Sequence, residues 1–417
     1  MAGMHRAGNA RNAVVSLLYS TRYTGKSAPS GPNIKPNVSN VLRPKTIVRA
    51  QMRILAIETS CDETAVAVLD ISGPVEKPEI KLLGNALLSQ AKLHEKYGGV
   101  YPNLAKREHQ KNLPILLEKV LLEASTKHLE PSDIDLITVT AGPGLEPALW
   151  VGIGFAEALG KKWGKPVIPI NHMEGHIFSV LYGMLNTECL TLPALALLVS
   201  GGHTELVCVK DFGNYEIIGR TRDDAVGEAF DKVARMLGLP YPGGPEISRL
   251  AEISRKRSPE DTIKLPRPMI HSKNLDFSYS GLKTAVLYRL KAEEKTDEQF
   301  KEDTARAFED AAVEVLIEKT RRALTELDEK VKTLIVAGGV SANLHLTREL
   351  EKLVSEFPEI SLRVPTKQLS TDNAIMIGIA AFIKIKVEPW ILKNQTAIRA
   401  RGNLSISSAQ ELSPRYL

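Results

Sequence analysis

The sequence predicts an α/β protein of two similar lobes, each with a mixed sheet flanked by helices, and a ligand cleft between the lobes. Two observations predict this fold. A hairpin of two strands joined by a polar turn occurs twice, around residues 54–69 and 195–209. Helices follow each hairpin, and then a strand that ends in glycines and opens a helix, at 141–144 and at 337–339. Strands that alternate with helices favour mixed sheets, and the recurrence favours a duplicated architecture.

The first lobe is predicted over residues 51–192. Apolar runs bounded by turn residues predict its strands, and apolar residues at helical intervals predict its helices. The predicted elements are strands at 54–58, 65–69 and 82–88, a helix at 103–124, a strand at 136–140, a helix ending near 163 and a strand at 167–170.

The second lobe is predicted over residues 193–371. Residues 372–417 are predicted to begin with a helix that returns to the first lobe. They are predicted to end in a tail that covers a sheet edge or is partly ordered. A long charged amphipathic helix is expected at 293–329, with its charges in solvent. The predicted strands are 195–200, 205–209, 216–218 and 333–336, and an apolar helical run covers 374–383.

Composition excludes several classes of protein. The chain has 417 residues, of which 43% are hydrophobic and 25% charged, as in a globular protein and unlike a disordered or fibrous one. Its longest apolar runs, at 194–199 and 375–383, are far shorter than the roughly 20 residues that span a membrane. No membrane partner is therefore expected.

Residues 1–50 are predicted to be a targeting leader. They contain eight Lys or Arg residues and no Asp or Glu, whereas residues 51–417 carry 46 basic and 49 acidic residues. Basic, acid-free segments that contain Ser and scattered apolar residues are typical of organellar transit peptides. The leader therefore predicts a protein of the mitochondrial matrix, with an untargeted basic tail as the alternative.

The glycines cluster at the ends of predicted strands. The clusters are AGPG at 141–144, SGG at 200–202, YPGG at 241–244 and AGGVSAN at 337–343. A strand that ends in glycines before a helix presents free backbone N–H groups to an anion, so four such loops favour a nucleotide site. Because the sequence contains neither GxxxxGK[ST] nor a GxGxxG at the first helix, the backbone loops themselves would hold the nucleotide.

His172 and His176 are candidate metal ligands. They lie four residues apart after a predicted strand, so a helix would place both imidazoles on one face. Two ordinary polar histidines are the alternative. Asp372 begins an apolar helix, where a helix cap is its ordinary role. As a third ligand it would complete a set that leaves coordination positions open for substrate, as catalytic metal sites do.

An acidic segment, RTRDDAVGEAFDK at 220–232, adjoins the glycine loops. Its carboxylates indicate either a solvated helix start or acceptors for the hydroxyl and amine groups of a ligand. The carboxylates concerned are Asp223, Asp224, Glu228 and Asp231.

Ten ordered segments together resemble one family, the tRNA N6-adenosine threonylcarbamoyltransferases, or TsaD-like proteins, once labelled glycoproteases. The resemblance covers roughly residues 52–385. The segments are IETSCDETAVAVLD (57–70), AKREHQ (105–110), TAGPGLEPAL (140–149), NHMEGH (171–176), LVSGGHTEL (198–206), DDAVGEAFDK (223–232), YPGGP (241–245), FSYSGLKTA (277–285), AGGVSAN (337–343) and TDNAIMIG (371–378).

The resemblance implies a two-lobed fold of the actin, sugar-kinase and heat-shock (ASKHA) type. It also implies an acyltransferase that moves a threonylcarbamoyl group from threonylcarbamoyl-AMP to N6 of adenosine 37 in tRNAs that read ANN codons, which forms t6A and releases AMP. With the leader, it points to the mitochondrial member. Such a member is expected to be a homodimer that receives its adenylate from a separate threonylcarbamoyl-AMP synthase.

The resemblance also assigns residues, without a general base. It implies that His172, His176 and Asp372 hold one divalent metal ion per subunit, iron or zinc. The sequence departs from the family pattern at Asn103, where an acidic residue is usual, and at Glu146-Pro147, where smaller residues are usual. The residues that the resemblance assigns to the adenylate are Leu198, Val199, Ser200, Gly201, Gly202, Asp231, Gly244 and Asn343.

Two other functions stay open. An ATPase or kinase of the same fold would use the same glycine loops, and a non-catalytic nucleotide-binding scaffold would tolerate loss of the metal. Because the folded part is nearly neutral, binding of tRNA requires a local basic patch. The candidate residues for this patch are Lys106, Arg107, Lys111, Lys161, Lys162, Lys165, Arg267 and Lys283.

Overall fold

A computed structural model describes residues 50–125, 130–184, 188–257, 263–293, 297–327 and 330–407. The predicted leader lies outside these residues, apart from Ala50. Within the described ranges, no helix is both long and apolar enough to cross a membrane.

The strands form two five-stranded sheets. The strands are β1 (Gln51–Glu58), β2 (Glu63–Ser72), β3 (Glu79–Ser89), β4 (Leu136–Gly142), β5 (Val167–Asn171), β6 (Ala194–Val199), β7 (Thr204–Asp211), β8 (Asn214–Arg220), β9 (Thr333–Ala337) and β10 (Ser361–Arg363). The helices are α1 (Ala91–His94), α2 (Pro102–Ser125), α3 (Glu146–Trp163), α4 (His172–Phe178), α5 (Val226–Met236), α6 (Gly243–Arg257), α7 (Ser280–Ala292), α8 (Glu298–Glu326), α9 (Leu344–Ser355), α10 (Lys367–Ser370) and α11 (Ala374–Val387).

The two sheets repeat one topology. Sheet 1 has the order β3-β2-β1-β4-β5, and sheet 2 has the order β8-β7-β6-β9-β10. In each sheet the first three strands along the chain are antiparallel, and the last two run parallel to the first of them. The duplicated α/β architecture predicted from the sequence is therefore present, and the two hairpins are its repeated unit.

Sheet 1 is buried on both faces. Alternate residues of a strand point to opposite faces: Ile54 and Ala56 of β1 join an apolar core with α11, whereas Leu55 and Ile57 join a core with α2 and α3. Gly378 is the point of closest approach of α11, because a Cβ there would lie 2.1 Å from Leu69 Cδ1. The last long helix therefore completes the first lobe.

The long charged helix differs from its prediction in length and in burial. α8 spans Glu298–Glu326, which is shorter than 293–329, and residues 294–296 and 328–329 lie outside the described ranges. The expectation that its charges lie in solvent is wrong for three of them, Arg306, Glu309 and Lys319, which are buried. Glu309 accepts hydrogen bonds at 2.7 Å from Ser248 and Asn343, and Arg255 compensates its charge inside the second lobe at 2.7 Å.

Residues 393–407, here called the C-terminal segment, fold back along the edge of sheet 1. The β5 backbone N–H of Val167 donates to Gln395 Oε1 at 3.1 Å. Arg401 N donates to the Ala141 carbonyl at 2.9 Å, and Gly144 N donates to the Gly402 carbonyl at 3.0 Å. The segment therefore covers an edge strand and fixes the AGPG loop, whereas residues 408–417 lie outside the described part.

Replacement of Gly142 by Ala is expected to destabilise the protein. Gly142 has φ +151°, and a Cβ there would lie 2.0 Å from the backbone carbonyl oxygen of Arg401. Backbone strain together with displacement of the C-terminal segment should lower the free energy of unfolding by roughly 2–4 kcal/mol, as measured by urea denaturation.

Gly154→Ala is the matched control. Gly154 is exposed in α3, and no atom lies within 4 Å of the position of a Cβ. Alanine there should leave stability unchanged or raise it by about 0.5–1 kcal/mol through helix propensity. Equal midpoints for Gly142→Ala and wild type would contradict the role given to the C-terminal segment.

Candidate metal centre and nucleotide cleft

The three predicted metal ligands meet in the first lobe. α4 carries His172 and His176, and Asp372 immediately precedes Asn373, the N-cap of α11. The Nε2 atoms of both histidines lie 3.2 Å from Asp372 Oδ1, and one donor atom from each residue lies within 4.8 Å of the others. The capping role considered for Asp372 belongs to Asn373, whose side chain accepts from Met376 N at 2.9 Å.

Glu58 orients the first histidine. His172 Nδ1 lies 3.0 Å from Glu58 Oε2, and Thr140 Oγ1 donates to the same oxygen at 2.6 Å. Glu58 Oε2 can accept from His172 Nδ1, which fixes the orientation of the ring, and Nε2 would be the nitrogen that coordinates a bound metal. A histidine that donates to a carboxylate with one nitrogen and faces two other donors with the other is the arrangement of a metal ligand.

The unpaired nitrogens of His176 also fit a metal. His176 is buried, and neither ring nitrogen has a hydrogen bond with good geometry among the described residues. Donors bonded at about 2.0–2.1 Å in a tetrahedron lie about 3.3 Å apart, close to the 3.2 Å found here. The Asp372 side chain is 21% exposed, so the set keeps an open side.

Sequence reasoning missed Glu58. The residue ends β1, whose preceding residues are apolar apart from Gln51 and Arg53, and it is fully buried. A buried carboxylate at the end of an apolar strand lowers the stability of the fold unless it is hydrogen-bonded. That isolated acid in an apolar run was the available signal.

Charges within the set shift its pKa values. Burial alone would lower the pKa of His172, but the Asp372 and Glu58 carboxylates outweigh burial and raise that pKa well above its ordinary value. Burial likewise opposes ionisation of Asp372, but His172 and His176 hold the pKa of this carboxyl far below its usual range. The carboxylate is therefore ionised throughout the neutral range, as a metal ligand must be.

The predicted adenylate residues lie together in the second lobe. Leu198 and Val199 end β6, with buried side chains, and the next three residues form an exposed or half-buried turn. Gly227 N donates to the Ser200 carbonyl at 3.2 Å. A Cβ at Gly338 would lie 2.4 Å from the Val199 carbonyl oxygen, so β6, α5 and the loop after β9 converge on this turn.

The other three predicted residues adjoin the same turn. Asp231 Oδ1 accepts from Gly243 N at 2.7 Å, beside Gly244, where no atom lies within 4 Å of the position of a Cβ. Asn343 uses its amide inside the protein: Nδ2 donates to Ser248 Oγ at 2.9 Å and to Glu309, and Oδ1 accepts from Leu346 N. Asn343 thus fixes the wall of the site, with one acceptor lone pair left for a ligand.

The pKa values of His203 and Tyr241 respond to charged groups of the first lobe, which indicates that the two groups lie near one another. Burial, reinforced by the electrostatic influence of His172 and His176, lowers the pKa of His203 to about 4. Burial and then the charge of Asp62 in the first lobe raise the pKa of Tyr241 in the second. The metal set of the first lobe and the glycine turns of the second lobe therefore line one cleft.

Known proteins resemble this chain over most of its length. A family model described as TsaD, tRNA N6-adenosine threonylcarbamoyltransferase, matches residues 81–379. A protein so named from Thermosipho africanus is 44% identical over 355 residues, which are 85% of this chain and 100% of the relative. One from Persephonella marina is 47% identical over 338 residues, which are 80% of this chain and 91% of the relative.

A solved structure shows the same fold. The crystal structure of HypF from T. kodakarensis matches with a TM-score of 0.52 at 14% identity, over 82% of this chain and 48% of the HypF chain. At this identity the match concerns the fold alone. It supports the predicted α/β fold with two similar mixed sheets.

His203 is expected to titrate near pH 4. An unfolded histidine has a pKa of about 6.5. As the pH falls from 6.5 towards 4, His203 therefore binds a proton in the unfolded chain but not in the folded chain. The free energy of unfolding should therefore decrease over that window. A bound divalent cation acts in the same direction, because it is also positive. Ring-nitrogen NMR against pH measures the midpoint.

His203→Gln serves as the comparison variant for the stability measurement. It should lack the part of the pH dependence between about 6.5 and 4 that His203 contributes in the wild type. A His203 midpoint at about 6.5 in the wild type would contradict the burial of this ring and its electrostatic coupling to His172 and His176.

Proposed function

Since the chain belongs to the tRNA N6-adenosine threonylcarbamoyltransferase family, we propose that it transfers threonylcarbamoyl from threonylcarbamoyl-AMP to N6 of adenosine 37 in mitochondrial tRNAs that read ANN codons. Family membership makes it a tRNA-modifying transferase. The observation that carries the finer proposal is the His172–His176–Asp372 set, which faces glycine turns suited to a nucleotide.

The proposed reaction needs no nucleophile from the protein. The adenine N6 amine attacks the carbamoyl carbon, an N–C bond forms, and the C–O bond to the phosphate breaks. AMP leaves with the bonding electron pair, and N6 loses one proton. The work of the protein is to hold the two substrates in line and to stabilise the charge that develops on the anhydride oxygens.

The donor set supports one divalent ion, iron or zinc, held by His172, His176 and Asp372. A bound ion would supply Lewis-acid polarisation of an anhydride oxygen. Glu58 keeps the His172 ring in the tautomer that leaves Nε2 free for this task. The partly exposed edge of Asp372 is where the set would open towards substrate.

The second lobe would bind the adenylate. The backbone N–H of Gly201, in the exposed turn close to the N-terminus of α5, suits a phosphate oxygen, whereas Gly202 N already donates to Ser200 Oγ at 3.3 Å. The Asp231 carboxylate suits ribose hydroxyls as an acceptor. Leu198, Val199, Gly244 and Asn343 support these groups as the floor and wall of the site.

Direct transfer to RNA tests the proposal. The full chain, incubated with threonylcarbamoyl-AMP and an unmodified tRNA bearing A37, should form threonylcarbamoyladenosine, detected by mass spectrometry of the digested RNA. His172→Ala should reduce the yield by at least roughly 100-fold, because a three-ligand set loses one donor. His271→Ala, at an exposed histidine outside the set, is the matched control.

Glu58→Gln separates metal binding from substrate binding. The amide still accepts from His172 but lacks the charge, so metal affinity should fall roughly 10- to 100-fold, and excess metal should restore activity. Rapid hydrolysis of ATP without formation of modified tRNA would contradict the transferase and favour a kinase or ATPase. Full activity of His172→Ala would remove the metal from the proposal.

We also propose a mitochondrial destination, supported by the acid-free basic composition of residues 1–50. A fluorescent protein fused after residue 50 should enter mitochondria, whereas the same fusion with its eight basic residues changed to Gln should stay outside. Identical distributions of the two fusions would refute the leader. The homodimer and the separate synthase stay predictions from the resemblance.

A further inference from the structure

We propose that Tyr97 and Tyr101 form a stacking platform for an unpaired base of the tRNA anticodon loop, beside the adenosine that is modified. The proposal rests on the proposed function, since it names the part of the enzyme that receives the RNA. It is carried by the geometry of the two rings, by the charge around them and by their position at the cleft.

The two tyrosines are stacked and exposed. Their ring centroids lie 5.3 Å apart with an interplanar angle of 24°, and the residues are 51% and 48% exposed. Lys96 Nζ lies 5.0 Å from the centroid of the Tyr97 ring. Exposed aromatic rings beside a cation form the kind of surface on which unpaired RNA bases stack.

No other exposed aromatic side chain has this arrangement in the part of the chain that the structure describes. Trp150, Tyr288 and Trp390 are also exposed, but none of them stacks on a second ring in that part. The pair Tyr97–Tyr101 is therefore distinguished by geometry as well as by exposure.

The surroundings of the platform are basic. Residues 91–111 contain five Lys or Arg residues and two acidic residues. Lys92, Lys106 and Arg107 are exposed, and within the described residues they have no ion-pair partner. This local excess is what a polyanion requires on a nearly neutral protein.

Two residues of the predicted basic patch, Lys283 and Arg267, contribute less. Lys283 is paired with Asp224 at 2.6 Å, and Arg267 is paired with Glu314 at 2.7 Å. Charges already neutralised by a carboxylate attract phosphate weakly. Among the eight predicted residues, Lys106 and Arg107 combine an uncompensated charge with proximity in sequence to the platform.

The platform lies where the first lobe meets the second. Gly98, with φ +65°, is so close to the second lobe that a Cβ would lie 2.7 Å from Arg235 Cζ. Arg235 belongs to α5, the helix that also carries Asp231. A base stacked on the tyrosines would therefore enter at the rim of the cleft that holds the predicted adenylate residues.

Buried hydrogen bonds hold the platform in place. Tyr101 N donates to His94 Nδ1 at 3.2 Å, and His94 Nε2 lies 3.2 Å from Gln90 Oε1. Gln90 Nε2 lies 3.3 Å from His109 Nδ1. Burial lowers the pKa of both histidines, which favours the neutral tautomers that these bonds need.

The same hydrogen bonds reach the metal centre. His109 Nε2 lies 3.0 Å from the Cys61 carbonyl oxygen. The preceding residue, Ser60, has its Oγ 3.3 Å from His172 Nδ1. Hydrogen bonds thus connect both the platform and a metal ligand to one turn, the turn between β1 and β2.

RNA binding by variants of the full chain tests the platform. The probe is an unmodified tRNA anticodon stem-loop at one fixed salt concentration. The double variant Tyr97→Ala/Tyr101→Ala should bind it roughly 5- to 100-fold more weakly, the loss expected for one or two stacked bases. Tyr97→Phe and Tyr101→Phe should bind like the wild type, because the stacking face is kept.

Tyr288→Ala is the matched control, because Tyr288 is 66% exposed on α7 and should not change RNA affinity. In turnover, the alanine variants should raise KM for tRNA and leave kcat at saturating tRNA close to that of wild type. A 2-aminopurine placed beside position 37 should lose its fluorescence on binding to wild type and keep it with the double variant.

Each alternative has a separate outcome. Alanine variants that bind the stem-loop within twofold of wild type would overturn the platform, even if the wild type modifies tRNA normally. Variants that change the oligomeric mass but not RNA affinity would assign the tyrosines to a protein contact and also overturn it. A third outcome combines two results: the wild type modifies no tRNA, but the alanine variants still bind the stem-loop more weakly than the wild type does. That outcome would support the platform and contradict the proposed function.

Discussion

A carboxylate shared by two imidazoles joins the beginning and the end of this fold. Asp372 is held 3.2 Å from His172 and His176, and it belongs to the polypeptide that has returned from the second lobe. Glu58 and Thr140 support His172 from the ends of β1 and β4. In sheet 1 the parallel strands β1, β4 and β5 all end at this edge, so the topology itself brings the groups together.

The second lobe presents the corresponding edge of its own sheet. Its parallel strands β6 and β9 end in the turns at 200–203 and 338–343. Gly227 and Gly338 permit contacts to the backbone of Ser200 and Val199 that a side chain would block. One duplicated topology therefore supplies an edge rich in metal donors and an edge rich in backbone N–H groups, and a single cleft uses both.

Much of this could be predicted from the sequence, for physical reasons. The hairpins follow from apolar runs and polar turns, and the metal pair follows from the four-residue spacing on a helix. The role of Glu58 was not predicted, because a polar residue at the end of a strand resembles the start of a turn. The buried charges of α8 were not predicted, because the periodicity of a helix indicates only which face is apolar. The partners of Glu309 come from segments distant in sequence, so no local pattern indicates them. Stacking of Tyr97 on Tyr101 depends on a loop, where no periodicity applies.

The position of α11 in the chain bears on biosynthesis. This helix covers one face of sheet 1, but the ribosome makes it only after the whole second lobe. The apolar face formed by residues such as Ile54, Ala56 and Leu69 therefore lacks its covering helix while residues 193–371 are translated. Domains that fold in order from the N-terminus avoid such exposure, whereas this chain must postpone completion of its first half, and nascent chains with bare apolar sheets depend on chaperones. A fragment of residues 51–192 alone would keep that bare face permanently.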